Sequence, residues 1–509
     1  MNSLALVLVI PFASAVVLGL LHGRPRLERA VNLASCLGLT AFVFWLLAYV
    51  DAHGIQTTMI AGYQAPFGIA LVADRLSCLM LCLSMAVGSI ALVVSLSTVT
   101  ADQERSFFHP LFQVLLLGVN WAFVTGDLFN LFVAYEVMLV GSYGLMMVGA
   151  GRAQVRQGLM YIAINLVGGS LFIFGLALLY ALVGTLNMAD IAQRTAELAG
   201  PRAAAVTAVS MVLLIVFALK AAAFPLFFWL PDSYPIVPTG VNGYFAGLLT
   251  KVGVYSLLRV FVMTFRQDGQ ELVLEILLVL SGFTMLLGVL GALCQWDIRR
   301  VLSWHIISQV GYMVMGIGLA ANAGMARVAV AATVFYVTHH IIVKSSLFML
   351  AGVAEGLTGS SQLKRMGGVV GLAPGTAALF LIAAFSLAGM PPFSGFLSKV
   401  LLMRVGLADD QWVIVAIAVA TSFFTLLSML KIWSYAYWGK APLGAPFAGW
   451  RLATAPAAVL VLATVVLGLW AQPLLRYADA AADEVTRPQA YIEAVLGPRQ
   501  TARAAGEAP

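Results

Sequence analysis

Charge is what this chain of 509 residues has least of: Asp, Glu, Lys and Arg together make up 10%, against roughly 25% in an ordinary soluble domain. So few charges cannot cover a water-facing surface, and with 61% hydrophobic residues the chain is not a soluble protein. The 28 basic and 22 acidic residues leave a formal charge of +6, too small an excess to argue for nucleic-acid binding. Cysteine is scarce as well. Cys36, Cys78, Cys82 and Cys294 all fall in apolar stretches and are expected to be small packing residues. No His, Cys or Glu grouping has metal-ligand spacing, so neither a zinc nor an iron site is expected. No haem or iron-sulfur motif occurs, and no cofactor is expected. No nucleophile stands in a recognisable arrangement with a histidine, which argues against a membrane-embedded enzyme. Long loops are missing too, which leaves no room for a soluble catalytic domain. The first apolar stretch lacks a basic leader, since Arg24, Arg26 and Arg29 follow it; it is expected to be a retained helix rather than a signal peptide.

What the chain has in abundance is apolar runs of bilayer-spanning length, about 20 residues each. With Gly, Pro and charge clusters as boundaries, there are fourteen, at 3–21, 29–50, 76–98, 108–125, 127–149, 158–183, 204–230, 238–265, 271–294, 300–320, 326–354, 374–404, 411–438 and 452–471. The fold class is therefore an all-α polytopic membrane protein. Loops after odd-numbered segments carry twelve basic residues, among them Arg105, Arg152, Arg299, Arg300, Lys364, Arg365 and Lys440, while loops after even-numbered segments carry six. Basic residues stay in the cytoplasm, which predicts cytoplasmic odd loops and both termini on the outer face.

The informative residues are charges that no loop explains. A charge near the bilayer centre costs on the order of 3 kcal/mol or more, so it needs a partner, a wet cavity or a task. Six lie inside segments: Glu136, Lys220, Lys251, Lys344, Lys399 and Lys431, with His305, His339 and His340 in the same layer. Glu136 stands nine residues beyond Asp127, about 13 Å into the membrane at 1.5 Å per residue. Lys344 and Lys431 lie nearer expected helix ends, where snorkelling or a structural ion pair is the competing explanation, and Arg259 is expected to snorkel. His340 and Lys344, four apart, share a helix face; His339 projects about 100° away.

Spacing points to a repeat. Lys220 and Lys251 are 31 residues apart on segments seven and eight, and Lys399 and Lys431 are 32 apart on segments twelve and thirteen. Two five-helix units, 108–265 and 271–438, would follow an N-terminal three-helix segment (1–107) and precede a last helix with a polar tail (439–509). An odd helix number inverts the second unit relative to the first, as in many transporters. Proline interrupts both lysine-bearing segments, at Pro225 and at Pro391-Pro392, so segments seven and twelve should be broken near mid-membrane.

Several motifs then occur in a recognisable order: Thr125-Gly-Asp-Leu-Phe-Asn-Leu-Phe-Val-Ala-Tyr-Glu136, Lys220 with Pro225-Leu-Phe-Phe-Trp-Leu-Pro-Asp232, Ser308-Gln-Val-Gly-Tyr312, His339-His-Ile-Ile-Val-Lys344, and Met390-Pro-Pro-Phe-Ser-Gly-Phe-Leu-Ser-Lys399. Together they resemble the antiporter-like subunits shared by Mrp-type Na⁺/H⁺ antiporters and respiratory complex I. The likeness covers segments three to thirteen. Within that superfamily the length, the T-G-D-L-F-N-L-F run and the H-H-I-I-V-K run are most similar to the D-type subunits of Mrp. Larger relatives continue into further C-terminal helices, and another complex I relative has Glu where this chain has Lys399.

The resemblance implies a multi-subunit Na⁺/H⁺ antiporter in a bacterial plasma membrane, with large and small Mrp subunits as partners and H⁺ and Na⁺ as the transported ions. It also implies a proton path along the membrane's central plane. Glu136 would pair with Lys220, and the proton would pass through Lys251 and the His339 region to Lys399, with Lys344 and Lys431 as further candidates. The alternative is a proton-pumping subunit of an NADH dehydrogenase or a membrane-bound hydrogenase. The physics is consistent with such a path: burial weakens a lysine's hold on its proton and a nearby carboxylate restores it, so a moving counter-ion changes proton affinity.

Overall fold

In the computed structural model, which describes residues 2–149, 151–440 and 449–497, apolar periodic runs become long helices packed side by side. In chain order these are α1 (Leu6–Leu20), α2 (Pro25–His53), α3 (Arg75–Thr98), α4 (Phe108–Val124), α5 (Leu128–Met147), α6 (Arg152–Val183), α7 (Gly200–Ala221), α8 (Thr239–Leu258), α9 (Gln270–Cys294), α10 (Ile298–Gly318), α11 (Ala326–Thr358), α12 (Pro374–Ala388), α13 (Ser394–Ala408), α14 (Trp412–Ile432), α15 (Trp450–Leu469), α16 (Gln472–Thr486) and α17 (Gln489–Leu496). Among the described residues, twelve helices are long and apolar enough to cross a membrane. The two other expected segments are the 17-residue α4 and the pair α12–α13, so the chain is a multi-pass membrane protein.

Segments seven and twelve are interrupted, as the prolines predict. The first break starts earlier than Pro225: α7 stops at Ala221, and Ala222 takes a left-handed backbone conformation (φ 58°, ψ 45°). Lys220 is thus the penultimate residue of a half-helix. A Cβ on Gly253 would collide with the backbone nitrogen of Ala221, so α8 sits flush against this break only because position 253 is glycine. In segment twelve the helix stops at Gly389 (φ 89°) and restarts at Ser394.

The two five-helix units share a packing detail. A Cβ on Gly118 of α4 would collide with the backbone nitrogen of Met138 on α5, and one on Gly141 would meet Leu115 N at 2.6 Å. The α9–α10 pair makes the same two contacts, Gly288 on Ser308 N at 2.5 Å and Gly311 on Met285 N at 2.7 Å. Each of these positions lies 170 residues beyond its counterpart (118 to 288, 141 to 311), as does the aspartate that caps the second helix of each pair, Asp127 and Asp297.

The centre of the bundle is built from α3, α8, α10 and α11, whose apolar windows are 78–94% buried. α1, α2, α6, α14 and α15 turn apolar side chains such as Phe12, Phe44, Val167, Val419 and Leu462 outward. That exposure is expected where lipid, not water, is the solvent.

Two expectations need correction. The part of the expected polar tail that is described, residues 472–497, is not free: α16 and α17 are amphipathic and bury Ala478, Ala481, Ala482, Val485, Tyr491 and Ile492 against the bundle, while residues 498–509 lie outside the described residues. Cys294 is exposed at the end of α9, whereas Cys36, Cys78 and Cys82 are buried as expected. The all-α fold class stands; among the described residues one small antiparallel hairpin, β1 (Gln56–Met59) with β2 (Ala70–Ala73), accompanies the helices.

Candidate functional site

Helix breaks and close glycine contacts bring the buried charges together. In the first unit, Glu136 of α5 and Lys220 of α7 both face a glycine pair on α6. A Cβ on Gly169 would lie 2.7 Å from Glu136 Oε1, and one on Gly168 would lie 3.9 Å from Lys220 Nζ. The expected direct ion pair is not formed. Lys220 Nζ donates to Asn165 Oδ1 of α6 at 3.0 Å and stands 5.5 Å from the centroid of the Tyr135 ring, while Glu136 Oε1 has no protein hydrogen-bond partner. Gly168 and Gly169 leave room for the two long side chains against α6, and for Lys220 the Asn165 amide is the partner. Motif reading missed Asn165, although its place three residues before the Gly-Gly pair is visible in the sequence.

The central file is supplied by α8 and α11. Lys251, fully buried, donates to Ala246 O at 2.6 Å and to Thr250 Oγ1 at 3.2 Å. Lys344 was expected near a helix end; it stands instead eighteen residues into the 33-residue α11, and its Nζ has no hydrogen-bond partner. His340, one turn before Lys344 on α11, has two buried ring nitrogens without partners and feels the charges of Lys251 and Lys344. His339, on another face of α11, bonds through Nδ1 to Ser394 Oγ at 2.8 Å and lies within reach of the Lys399 charge.

Lys399 uses the second break directly. Where α12 ends, carbonyls are left without helical partners, and Lys399 Nζ, from α13, donates to Leu387 O and Ala388 O at 3.0 Å each and to Ser422 Oγ at 3.0 Å. The Tyr312 ring centroid is 5.1 Å away. Without a side chain, Gly389 leaves room for this approach: a Cβ there would be 2.9 Å from Lys399 Cδ.

Two further charges are held by other partners. Lys431 is part-buried and bonds to Leu293 O at 2.6 Å and Gln295 O at 2.7 Å, which caps the C-terminus of α9. Arg259 does not snorkel. It is 3% exposed and paired with Asp74 at the N-terminus of α3, between the rings of Tyr255 and Tyr491 at 5.3 and 5.5 Å. It is enclosed because α17 covers this end of α8 with Tyr491. Among the described residues no carboxylate is at ion-pair distance from Lys220, Lys251, Lys344, Lys399 or Lys431, and no group of three or more His, Cys, Asp or Glu could hold a metal.

A helical bundle with two repeated units, an interrupted helix in each and a buried file of lysines and histidines is the architecture of a membrane transporter subunit. Residues 125–425 match the family described as NADH:quinone oxidoreductase/Mrp antiporter, transmembrane region. The chain is 41% identical to the D-type Na(+)/H(+) antiporter subunit of Alkalihalophilus pseudofirmus over 499 residues, covering 97% of this chain and 100% of that protein. It is 36% identical to the D-type Na(+)/H(+) antiporter subunit of Bacillus subtilis, covering 97% of this chain and 99% of that one. Among solved structures, a chain of the Mrp complex from Dietzia sp. superposes with a TM-score of 0.88 at 31% identity, covering 98% of this chain and 100% of that chain. A chain of respiratory complex I from Thermus thermophilus superposes with a TM-score of 0.78 at 22% identity, covering 95% and 99%, which shows a shared fold. The chain belongs to the NADH:quinone oxidoreductase/Mrp antiporter transmembrane family.

Proposed function

We propose that this chain is the D-type subunit of a multi-subunit monovalent cation/proton antiporter, working with other Mrp-like membrane subunits in the plasma membrane, and that protons move through it along the buried lysine and histidine file. The observation that carries the reading is the grouping of Lys251, His340 and Lys344, all fully buried, with no carboxylate beside them among the described residues. Positive charge is costly in such a place. Adding a proton to one member raises the cost of a proton on the next, so charge arriving at one end is passed along rather than stored. Glu136, half-buried beside Lys220, supplies a movable counter-charge at the first-unit end, and Lys399, on the carbonyls of a broken helix, forms the second-unit end. The domain division into 1–107, 108–265, 271–438 and 439–509 fits this division of labour.

Inward proton movement drives cation export: each charge crossing the membrane is worth about 2.3 kcal/mol per 100 mV, so export proceeds if more than one proton enters per cation. Fold alone does not separate this from a redox-driven pump, because a chain of the membrane-bound sulfane sulfur reductase superposes with a TM-score of 0.89 at 24% identity. The higher identity to D-type antiporter subunits favours the antiporter.

The test is Lys251→Met and Lys344→Met in the assembled complex, assayed as Na⁺-dependent dissipation of a pH gradient in everted vesicles. Each should lose at least about tenfold in rate, since each interrupts a proton transfer. Full activity in both variants would remove the file from the mechanism.

A further inference from the structure

Three buried hydroxyls from three helices meet next to His339. Ser394, the first residue of α13, has its Oγ 2.8 Å from His339 Nδ1 and 2.6 Å from Thr464 Oγ1 of α15. Thr464 Oγ1 is in turn 2.7 Å from Ser386 Oγ of α12. None of the three has any exposure, and a buried hydroxyl is unfavourable unless it is bonded. Two glycines make the meeting possible. A Cβ on Gly395 would collide with Ser386 O and lie 2.9 Å from His339 Cε1, and one on Gly468 would collide with Pro392 O. α13 therefore folds back against α12, and α15 closes onto the break between them, only with glycine at both positions. Thr464 lies outside both five-helix units and outside residues 125–425, the part of the chain matched to the family.

We propose that Ser394 and Thr464, backed by Ser386, are positioning residues that set which nitrogen of His339 carries its proton, and so whether His339 can exchange a proton with Lys399. This inference rests on the proton path proposed above. A hydroxyl both donates and accepts, so the chain can run in either direction. When Ser386 donates to Thr464, Thr464 to Ser394 and Ser394 to His339 Nδ1, the neutral ring carries its proton on Nε2 and can donate there. In the opposite arrangement the ring is the other tautomer: Nδ1–H donates to Ser394, Ser394 to Thr464 and Thr464 to Ser386, and Nε2 presents a lone pair. Nε2 is the buried nitrogen without a protein partner, and Lys399, five residues beyond Ser394 on α13, is the cation whose charge acts on the ring. In the second state the Lys399 Nζ–H bond breaks and an Nε2–H bond forms, leaving a neutral amine and an imidazolium; the reverse step restores both. The hydroxyls keep their own protons throughout: they select between the two tautomers and do not carry the ring proton from one nitrogen to the other. A purely apolar packing at this place would leave the tautomer unspecified.

The experiment is Thr464→Val, which keeps the shape and removes the hydroxyl, beside Thr464→Ser, which keeps the hydroxyl, in the assembled complex with Na⁺-dependent proton flux in everted vesicles as the readout. Thr464→Val should lower maximal flux by about tenfold with the apparent KM for Na⁺ unchanged, as expected for loss of a partner that orients a reacting imidazole, and Thr464→Ser should restore most of the rate. Ser394→Ala beside Ser394→Thr repeats the contrast should the valine variant fail to assemble. Wild-type flux in both Thr464→Val and Ser394→Ala, or equal loss in the valine and serine variants of Thr464, would overturn the inference. Lys399→Ala in the same vesicles separates the two levels: if it is silent while Thr464→Val is active, the path stands and the positioning role falls; if Lys399→Ala is active, the path itself falls.

Discussion

Asn165, not Glu136, holds Lys220: the ammonium donates to Asn165 Oδ1 at 3.0 Å, and the Glu136 carboxylate oxygen facing Gly169 has no protein hydrogen-bond partner. Lys220 therefore has a neutral resting partner and a charged alternative close by. Leaving one for the other changes its hold on a proton without large backbone movement.

Removing the neutral partner should trap Lys220. Asn165→Leu is expected to reduce antiport by about tenfold or more, the usual scale for a lost proton-transfer partner, and Asn165→Asp, which fixes a charge beside Lys220, to reduce it as much. Flux through vesicles carrying equal amounts of assembled complex measures both. Near-normal rates in Asn165→Asp would show that Lys220 does not alternate between partners.

The Asp74–Arg259 pair makes a prediction about pH. Burial alone would raise the Asp74 carboxyl, but the Arg259 guanidinium and the Ser77 backbone and hydroxyl bonds win and hold it below the usual carboxylate range. A depressed carboxyl contributes stability that is fully present above its unfolded value, about 3.9, and is lost as pH falls through the folded value. Asp74→Asn leaves Arg259 buried without its counter-ion, a loss of roughly 3 to 5 kcal/mol. Thermal unfolding of the detergent-solubilised protein should show the variant much less stable than wild type at pH 7, with the gap narrowing only under strongly acid conditions. Equal stability at pH 7 would contradict the assignment.

Much of this arrangement was legible in the sequence, and what was not has a physical cause. Bilayer-length apolar runs located the helices because lipid imposes one length on them. The prolines located both breaks, although α7 ends four residues before Pro225, where Ala222 turns left-handed against Gly253. Buried lysines were visible as charges in apolar runs. Their partners were not, because Asn165 and Ser422 are ordinary polar residues until neighbouring helices bring them to a lysine. Arg259 was misread for the same reason: its partner Asp74 lies 185 positions away, and its cover, Tyr491, is in a tail expected to be polar. The repeat showed itself through lysine spacing, while its most regular trace is the glycine contacts 118 to 288 and 141 to 311.

Lys431 should prove separable from transport. Its bonds to Leu293 O and Gln295 O cap α9, and a cation at a helix C-terminus contributes about 0.3 to 1 kcal/mol. Lys431→Met is therefore expected to lower thermal stability slightly and keep more than half the flux. Loss of flux with assembly intact would return Lys431 to the proton path.

Topology can be read by cysteine labelling. Because Cys294 is exposed, Cys294→Ser is the starting background. In it, Lys364→Cys is expected to react only when the inner face is accessible, and Asp268→Cys from outside intact cells, as the excess of basic residues in the odd loops requires. The opposite pattern would invert the orientation and with it the direction assigned to proton flow.

The central claim is that the lysines of the buried file exchange protons rather than supply fixed charge, and Lys399→Arg tests it most directly. Arginine keeps the charge and can still reach the Leu387 and Ala388 carbonyls, but with a pKa above about 12 it does not release a proton at working pH. Na⁺-dependent dissipation of a pH gradient in everted vesicles should be nearly as low for Lys399→Arg as for Lys399→Ala, with the complex assembled in both. Wild-type-like flux in the arginine variant would show Lys399 to be an electrostatic fixture and would contradict the account.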